Sequence, residues 1–575
     1  MPLRPQPPLD RKPNGYWDRS ATGRVSRRAV LRSGAAMAAA SAALALVGCS
    51  SGASSSPTTP TAIGADQPDV LNPASPPRRG GRFVTANSAS FGTFDPHLGI
   101  QVASAYFPRI YNVLVNQSAT KPEFMYFDLA QSYETPDDHT YIFKIRPGVK
   151  IAPNDLGVPE RDLDGEDVRA SLERIKQDAT TTSHQFAAQY IDSITVSGDT
   201  VTVKTPGPYA WFLNRIGLFF NCITPRELLA GNLDRLGTRA AGAGPYRLTS
   251  VTEGEHALFD ANPNYYRHDE NNAGAQLPYV DGLDVRVIFD RATQRTAFLA
   301  GQIHLYWTAG SDDAKSLGNG AVITRDPAFS YVSFTMNPKK KPFDDERVRR
   351  AISRAINRQP YVDLIYRGDA APDGLVSWPL GSYAFPNEEL ASTYQPFDVQ
   401  EARSLVNQVG GIKFKMMFPG NTTIEEHGQH LPIFLEQMKD AGIEVEQDPQ
   451  DFGSWVSNYR GLSYDCSLAL NQPYETPELP LAFHTTNGPF GDKTYIQGLG
   501  DPEIDAAVKR ANTQLDFDAR REAVHAAQKI IYAKDPMMLP LVSPIQNLAF
   551  NKRVHNISAG IGTSSYLVNT YWLET

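Results

Sequence analysis

One hydrophobic core stops growing at roughly 250–300 residues, and this chain has 575. It must therefore divide its apolar residues among several cores, and two large lobes are expected. The means are present: 41% of residues are hydrophobic and 10% aromatic. The division starts late, because the first fifty residues have a different character. Ser26-Arg27-Arg28-Ala29-Val30-Leu31 precedes a mildly apolar, alanine-rich run from Ala35 to Gly48. That run is too short to cross about 30 Å of hydrocarbon stably, so residues 1–48 read as an export signal.

The paired Arg27 and Arg28 give this signal a twin-arginine character, with Val30 where phenylalanine is commoner, so the general secretory route stays open. The run ends in Leu46-Val47-Gly48-Cys49, a lipobox-like tetrapeptide. Cys49 would receive a diacylglyceryl group and become the first mature residue; two acyl chains anchor stably where one holds only marginally. From Cys49 onward the chain has 47 basic and 61 acidic residues, a formal charge of −14 that disfavours nucleic acid. Cys222 and Cys466 are the remaining cysteines and imply no disulfide framework; small buried residues are expected.

Residues 49–81 are rich in Ser, Thr, Pro, Ala and Gly, with one aliphatic pair at Val70-Leu71. They read as a disordered tether, since so little apolar surface cannot offset the entropy of ordering. Beyond Arg82 strands and helices alternate. Tyr141, Phe143 and Ile145 share one strand face, and Ser197-Gly198-Asp199-Thr200 joins two strands as a hairpin. Asp164 and Asp345 precede helical spacings of apolar residues and are candidate N-caps. Further strands are expected at 285–289 and 332–336, and further helices at 401–406, 424–438, 502–513 and 518–532. The fold class is α/β.

Catalytic signatures are missing: there is no G-x-S-x-G, H-E-x-x-H, phosphate-binding glycine loop or C-x-x-C. Gly242-x-Gly244 runs into Pro245-Tyr246 and reads as a turn entering a strand. The acidic run Asp162 to Asp167 lacks the glycine and glutamate positions of an EF-hand and suits helix capping. His427 and His430, beside Glu425 and Glu426, have the spacing to clasp a metal on a helix; a solvated polar face is the plainer reading. No cofactor and no metal are expected.

Several segments spread over the mature chain resemble the family 5 extracellular solute-binding proteins, which include dipeptide-, oligopeptide- and nickel-binding components of ABC importers. The resemblance opens with Gly80-Gly81-Arg82-Phe83, Phe94-Asp95-Pro96-His97 and Ile110-Tyr111-Asn112-Val113-Leu114. It is most specific at Leu129-Ala130-Gln131-Ser132-Tyr133-Glu134, Thr140 to Val149 and Asp164-Gly165-Glu166-Asp167-Val168. It continues at Ala243-Gly244-Pro245-Tyr246, Asn262-Pro263-Asn264-Tyr265-Tyr266, Asn337 with Pro342 to Ile352, Asp501 to Asp505 and Asp535 to Leu541.

The resemblance implies a two-lobed periplasmic-binding-protein-like fold with an extra subdomain in the first lobe and a ligand cleft between lobes. It places lobe one at 82–285 with a subdomain at about 121–235, lobe two at 286–540, and a return to lobe one at 541–575, with hinge crossings near residues 286 and 540. It implies a monomeric, non-enzymatic protein that binds a small-molecule or oligopeptide ligand. An ABC permease and, through the lipid anchor, the outer face of the cytoplasmic membrane are the expected partners. An oligosaccharide, metal chelate or other polar solute is the alternative ligand, and a secreted hydrolase or a permease-free surface sensor a remoter alternative function.

In peptide binders of the family an acid following an aromatic-ended strand pairs the ligand ammonium. In the corresponding stretch here, Tyr464 to Glu475, Asn471 stands for the usual tryptophan and Pro473 or Tyr474 for the usual aspartate. Glu475 is the candidate substitute, with Asn471, Gln472 and Tyr474 beside it. Phe452, Trp455, Tyr306 and Trp307 are candidates to stack on a sugar or pack a ligand side chain, or are ordinary core. Gln101 and Tyr106 are the matching candidates in the first lobe.

Overall fold

The computed structural model describes residues 70–574 apart from 72, 75, 99–105, 118–124, 232, 270, 271, 273, 309, 328–330, 421–424, 472–475, 489–495, 497, 535 and 559–569. Its frame is a sheet of 12 strands. In chain order they are β1 (Arg82–Asn87), β2 (Tyr246–Thr252), β3 (His256–Ala261), β4 (Gly282–Val287), β5 (Leu305–Trp307) and β6 (Ala321–Pro327). Then follow β7 (Tyr331–Met336), β8 (Ala370–Pro372), β9 (Ile412–Pro419), β10 (Ile443–Gln450), β11 (Cys466–Asn471) and β12 (Met538–Asn551). Across the sheet the order is β10-β9-β11-β7-β12-β5-β1-β4-β3-β2, with β6 and β8 also paired to β12.

The strand β12 makes this one sheet out of two lobes. Its first part pairs with β7, from Thr335↔Met538 to Val332↔Val542, and with β8 through Ala370↔Pro544. Its second part pairs with β6 from Pro327↔Ile545 to Ala321↔Asn551, and with β5. The chain therefore changes lobe at Ser543 to Ile545 and again between Pro327 and Tyr331. This corrects the expected crossing near residue 286. β4 runs parallel to β1, and β5 and β6 hydrogen-bond the far end of β12, so residues 286–327 belong to the first lobe.

Each half of the sheet has its own core, and a further cluster joins the subdomain to the second lobe, with Trp211 and Phe212 beside Tyr383, Leu481 and Val508. Phe83, Phe94, Phe107, Tyr111, Phe259 and Val285 pack together in the first lobe. Phe334, Phe343, Phe414, Phe434, Ile352 and Met538 pack together in the second. β7 is buried at all six residues, as expected of a strand covered on both faces. The extra subdomain carries a four-stranded antiparallel sheet in the order Ala130–Glu134, Thr140–Ile145, Thr200–Lys204, Ser193–Ser197, covered by the helix Gly165–Gln177.

Local chemistry explains many boundaries. Asp164 caps Gly165–Gln177 through the amides of Glu166 and Asp167, and the Asp167 carboxylate reaches back to the Asp164 amide. Arg161 forks onto Asp167 at 2.7 Å, so the acidic run serves capping. Gly242 and Gly244 are glycine because a Cβ would lie 2.2 Å from the Ile110 carbonyl oxygen and 2.7 Å from that of Arg109.

Two further expectations are corrected. The tether is shorter than 49–81: Val70-Leu71 pairs antiparallel with Ile557-Ser558, the Gly80 amide donates to Tyr279 O, and the Gly81 amide donates to Asp281 Oδ2. Hydrogen bonds from its backbone fasten it. His430 is not on a solvated face but fully buried, with Nε2 3.2 Å from the Tyr366 hydroxyl and its ring stacked on Tyr361. The side chains of His427, Glu425 and Glu426 lie outside the described residues. Cys222 and Cys466 are buried and free.

Candidate functional site

The two crossings are braced by a carboxylate. Asp369 lies just before β8 in the second lobe, and its carbonyl accepts the Ile545 amide at 2.9 Å. Its side chain takes Arg325 on one oxygen and Asn547 Nδ2, at 3.0 Å, on the other. Arg325 and Asn547 face each other in the register of β6 with β12. One acid of the second lobe thus clamps both strands that cross, which fixes where a hinge bends.

Beside the crossing, β11 ends at Asn471, opposite Tyr331 on β7. Asn471 therefore stands at the end of a strand separated from the interlobe strand β12 by β7 alone; its side chain lies outside the described residues, as do Gln472, Tyr474 and Glu475 altogether. Trp455 packs behind this strand. Its Nε1 donates to Ser467 Oγ at 3.1 Å, and its ring stacks on Tyr459, which stacks on Tyr464. Phe452 opens the helix Phe452–Arg460, capped by Asp451; its side chain too lies outside the description.

The first-lobe candidates divide. Tyr106 is buried, accepts from Asn87 Nδ2 at 2.9 Å, stacks on Phe259 and lies 5.0 Å from the Arg109 guanidinium. Burial pushes its hydroxyl pKa up. Tyr306 is buried in a small core with Phe298 and Ile303, and its hydroxyl donates to Asp313 Oδ2 at 2.6 Å. Trp307, the next residue on β5, is 44% exposed. Gln101 lies outside the described residues, as do Arg27, Arg28 and Cys49. For Tyr106, Tyr306 and Trp455 the packing reading accounts for every contact given above.

Sequence reasoning missed a cluster three residues past the candidate Glu475. Glu478 is buried and opens the helix Glu478–Ala482 in the second lobe. Its Oε1 accepts the Tyr209 hydroxyl at 2.6 Å and its Oε2 accepts Arg215 Nε at 2.7 Å, both from the extra subdomain. No local signal could announce a pair separated by 263 positions. Among the described residues Asp137, Asp138 and His139 lie close enough to share a cation. The two aspartates are exposed, and Asp137 already accepts the His139 amide and Thr140 Oγ1 in a turn.

Among the described residues no helix is long and apolar enough to cross a membrane. Residues 125–492 match the family described as bacterial extracellular solute-binding proteins, family 5 Middle. The chain is 24% identical over 491 residues to the glutathione-binding protein GsiB of Salmonella paratyphi A, covering 80% of this chain and 88% of that protein. It superposes on the Helicobacter pylori periplasmic binding protein DppA, solved with the peptide STSA, with a TM-score of 0.71 at 21% identity, covering 87% of this chain and 99% of that one. The binding protein AgaA of A. tumefaciens R10, solved with agropinic acid, superposes with a TM-score of 0.71 at 20% identity, covering 86% of this chain and 99% of that one.

Proposed function

Given that the chain belongs to the bacterial extracellular solute-binding proteins of family 5, we propose that it captures a peptide-like solute outside the cytoplasm and hands it to an ABC permease, without chemical turnover. The carrying observation is two sheet halves with cores of their own, joined at 327–331 and 543–545, with the backbone of Asn471 opposite Tyr331 beside that junction. Such a body closes around a solute when the solute binds the closed arrangement better than the open one. The names of relatives support the ligand class: the GsiB relative is a glutathione-binding protein, and others in Pseudomonas aeruginosa are di/tripeptide-binding. A defined polar solute such as an opine is the second reading, favoured by the departure at 471–475 and by the agropinic acid held by AgaA. Within the peptide reading Glu475 pairs the ligand ammonium, and Asn471, Gln472, Tyr474, Gln101 and Trp307 supply further ligand contacts.

The test is extraction of whatever co-purifies with protein isolated from its host without refolding, read by native mass spectrometry. A heterogeneous set of short peptides supports the main reading, a single sugar or opine moves it to the second, and hydrolysis of ester or peptide substrates sinks both. Export and anchoring belong to the same proposal. Cys49→Ser releases the protein from the membrane fraction, because the thioether that carries the acyl chains cannot form. Arg27→Lys with Arg28→Lys stops export on the twin-arginine route and leaves it intact on the general secretory one. The mature protein acts as a monomer.

A further inference from the structure

Away from the crossings, the lobes meet at a second place, through hydrogen bonds between the subdomain and the second lobe. The segment after the subdomain strand Thr200–Lys204 supplies Tyr209, Ala210, Trp211 and Arg215. Besides the two bonds to Glu478, the Ala210 amide donates to Asn512 O at 2.8 Å, and Trp211 Nε1 donates to Asn512 Oδ1 at 2.9 Å. Asn512 lies in the helix Pro502–Thr513 of the second lobe. The Trp211 indole meets the Tyr383 ring edge-on at 5.5 Å and lies under the Arg520 guanidinium at 5.1 Å. The Arg215 and Glu478 side chains are only 18% and 9% exposed.

We infer that Arg215, Tyr209 and Trp211 form a closure clasp with Glu478 and Asn512, engaged when the lobes close and released when they open. This rests on the reading of the chain as a cleft-closing binding protein. One group sits on the extra subdomain and the other on second-lobe helices, their apolar neighbours Tyr209, Trp211 and Phe212 packing in one cluster with Tyr383, Leu481 and Val508, and the chain crosses between the two lobes only at 327–331 and 543–545. A rotation there leaves the fold of each lobe intact and separates the clasp. The clasp is also balanced. Desolvating an ion pair offsets most of its attraction, whereas removing one member strands the other in a dry site. Closure is therefore held in one register without being locked, and the ligand decides the population.

The polar pattern provides its own reporter. The Ala210 amide is hydrogen-bonded to the opposite lobe, so its hydrogen exchange reads the clasp, while the amides of Thr200–Lys204 read the subdomain's own stability. The experiment compares exchange in the full mature protein and its variants, ligand-free and with a mixture of di- and tripeptides. Glu478→Gln speeds ligand-free exchange at Ala210 about 10- to 100-fold and leaves the subdomain strand unchanged. The paired replacement Arg215→Met with Glu478→Leu restores protection to the wild-type level or above it, since apolar partners no longer strand a charge. Trp211→Phe, which removes one hydrogen bond to Asn512 and keeps the ring, gives a rise of about 5- to 10-fold.

Unchanged Ala210 exchange in Glu478→Gln and Trp211→Phe overturns the clasp. So does a double variant that is worse than the single. A wild type whose exchange ignores the peptide mixture, while the variants behave as stated, overturns the peptide reading and leaves the clasp standing.

Discussion

Two of the acids buried in the second lobe, Glu478 and Asp373, are neutralised by different means. Glu478 meets Arg215 directly at 2.7 Å and takes a tyrosine hydroxyl on its other oxygen. Asp373 has no such contact. Its oxygens accept the amides of Gly374 and Trp378 at 3.0 Å each, and the Ser377 hydroxyl lies 2.5 Å away. The neighbouring Arg358 turns its Nε to the Pro540 carbonyl at 2.8 Å, and its buried Nη2 has no hydrogen-bond partner among the described residues. Burial pushes the Asp373 carboxyl up to about 7 and the Arg358 guanidinium down to about 10. A cation in contact lets a buried acid stay ionised; a cation held off leaves the proton to do the neutralising. The first arrangement joins two bodies that separate, and the second sits inside one body beside its hinge strand.

The largest expected effect comes from a pair that never separates. In the first lobe Asp95 is 1% exposed and gripped by Arg174 at 2.9 and 2.7 Å, with His97 Nδ1 3.0 Å from the same guanidinium. Arg174→Leu strands that carboxylate, and urea denaturation should show a loss of about 3–5 kcal/mol. A loss under about 1 kcal/mol would mean that direct contact is not what keeps a buried acid here in place, and the comparison would fall.

Next in size is Asp373→Asn. The folded carboxyl has its pKa raised from 3.8 to about 7. The unfolded chain therefore releases this proton first as pH rises, and stability falls between about pH 4 and 7, then levels off. The drop is about 4 kcal/mol if the whole shift is expressed. The variant should lack it, so the difference between the two proteins grows from pH 4 to 7 and is flat above. His97, held down to about 4 by burial, titrates in the same window with the opposite sign. It is present in both proteins and cancels. Parallel curves for the two proteins would show Asp373 to be ionised throughout.

A smaller effect is expected for Arg358→Met. At pH 5, with Asp373 protonated, the change leaves the Pro540 carbonyl without one donor and should cost about 1 kcal/mol. Above pH 7, with Asp373 ionised, the cost should rise. A cost independent of pH would mean that the guanidinium does not act on Asp373 through charge.

Elements set by neighbours in sequence were legible from the chain alone. Asp501-Pro502 announced a helix that spans Pro502–Thr513, and Asp345 caps Glu346–Ala355 as expected. The hairpin at Gly198 joins Ser193–Ser197 to Thr200–Lys204, with that glycine at φ +61°. What depended on distant partners was not legible. Alternation marks Val285 as a strand residue but carries no information about the parallel pairing of its strand with β1, or about the alignment of residues 321–327 with the far end of β12, so the lobe boundary was misplaced. His430 looked polar because nothing nearby in sequence announces Tyr361 and Tyr366 around it. Arg215 and Glu478 carry no pattern at all, since neither needs the other until the lobes meet.

The smallest effect is the sharpest control on the clasp. Asp501 caps Pro502–Thr513 through the Glu503 amide at 2.8 Å and contacts Lys534 at 3.1 Å. The Lys534 ammonium, and then that amide, hold its carboxyl below the usual range, so its contribution is present near neutrality and lost as pH falls through the folded-state pKa. Asp501→Ala should cost about 1 kcal/mol of stability at pH 7, the ordinary value of a cap. The helix it starts ends with Asn512 and Thr513, and Asn512 holds both Ala210 and Trp211. If the interlobe contact depends on the buried ion pair, fraying the far end of this helix leaves Ala210 exchange as in the wild type. If Ala210 exchange instead rises as much as in Glu478→Gln, its protection reports the stability of one helix, and the distinction between an acid that joins two bodies and an acid inside one loses its basis.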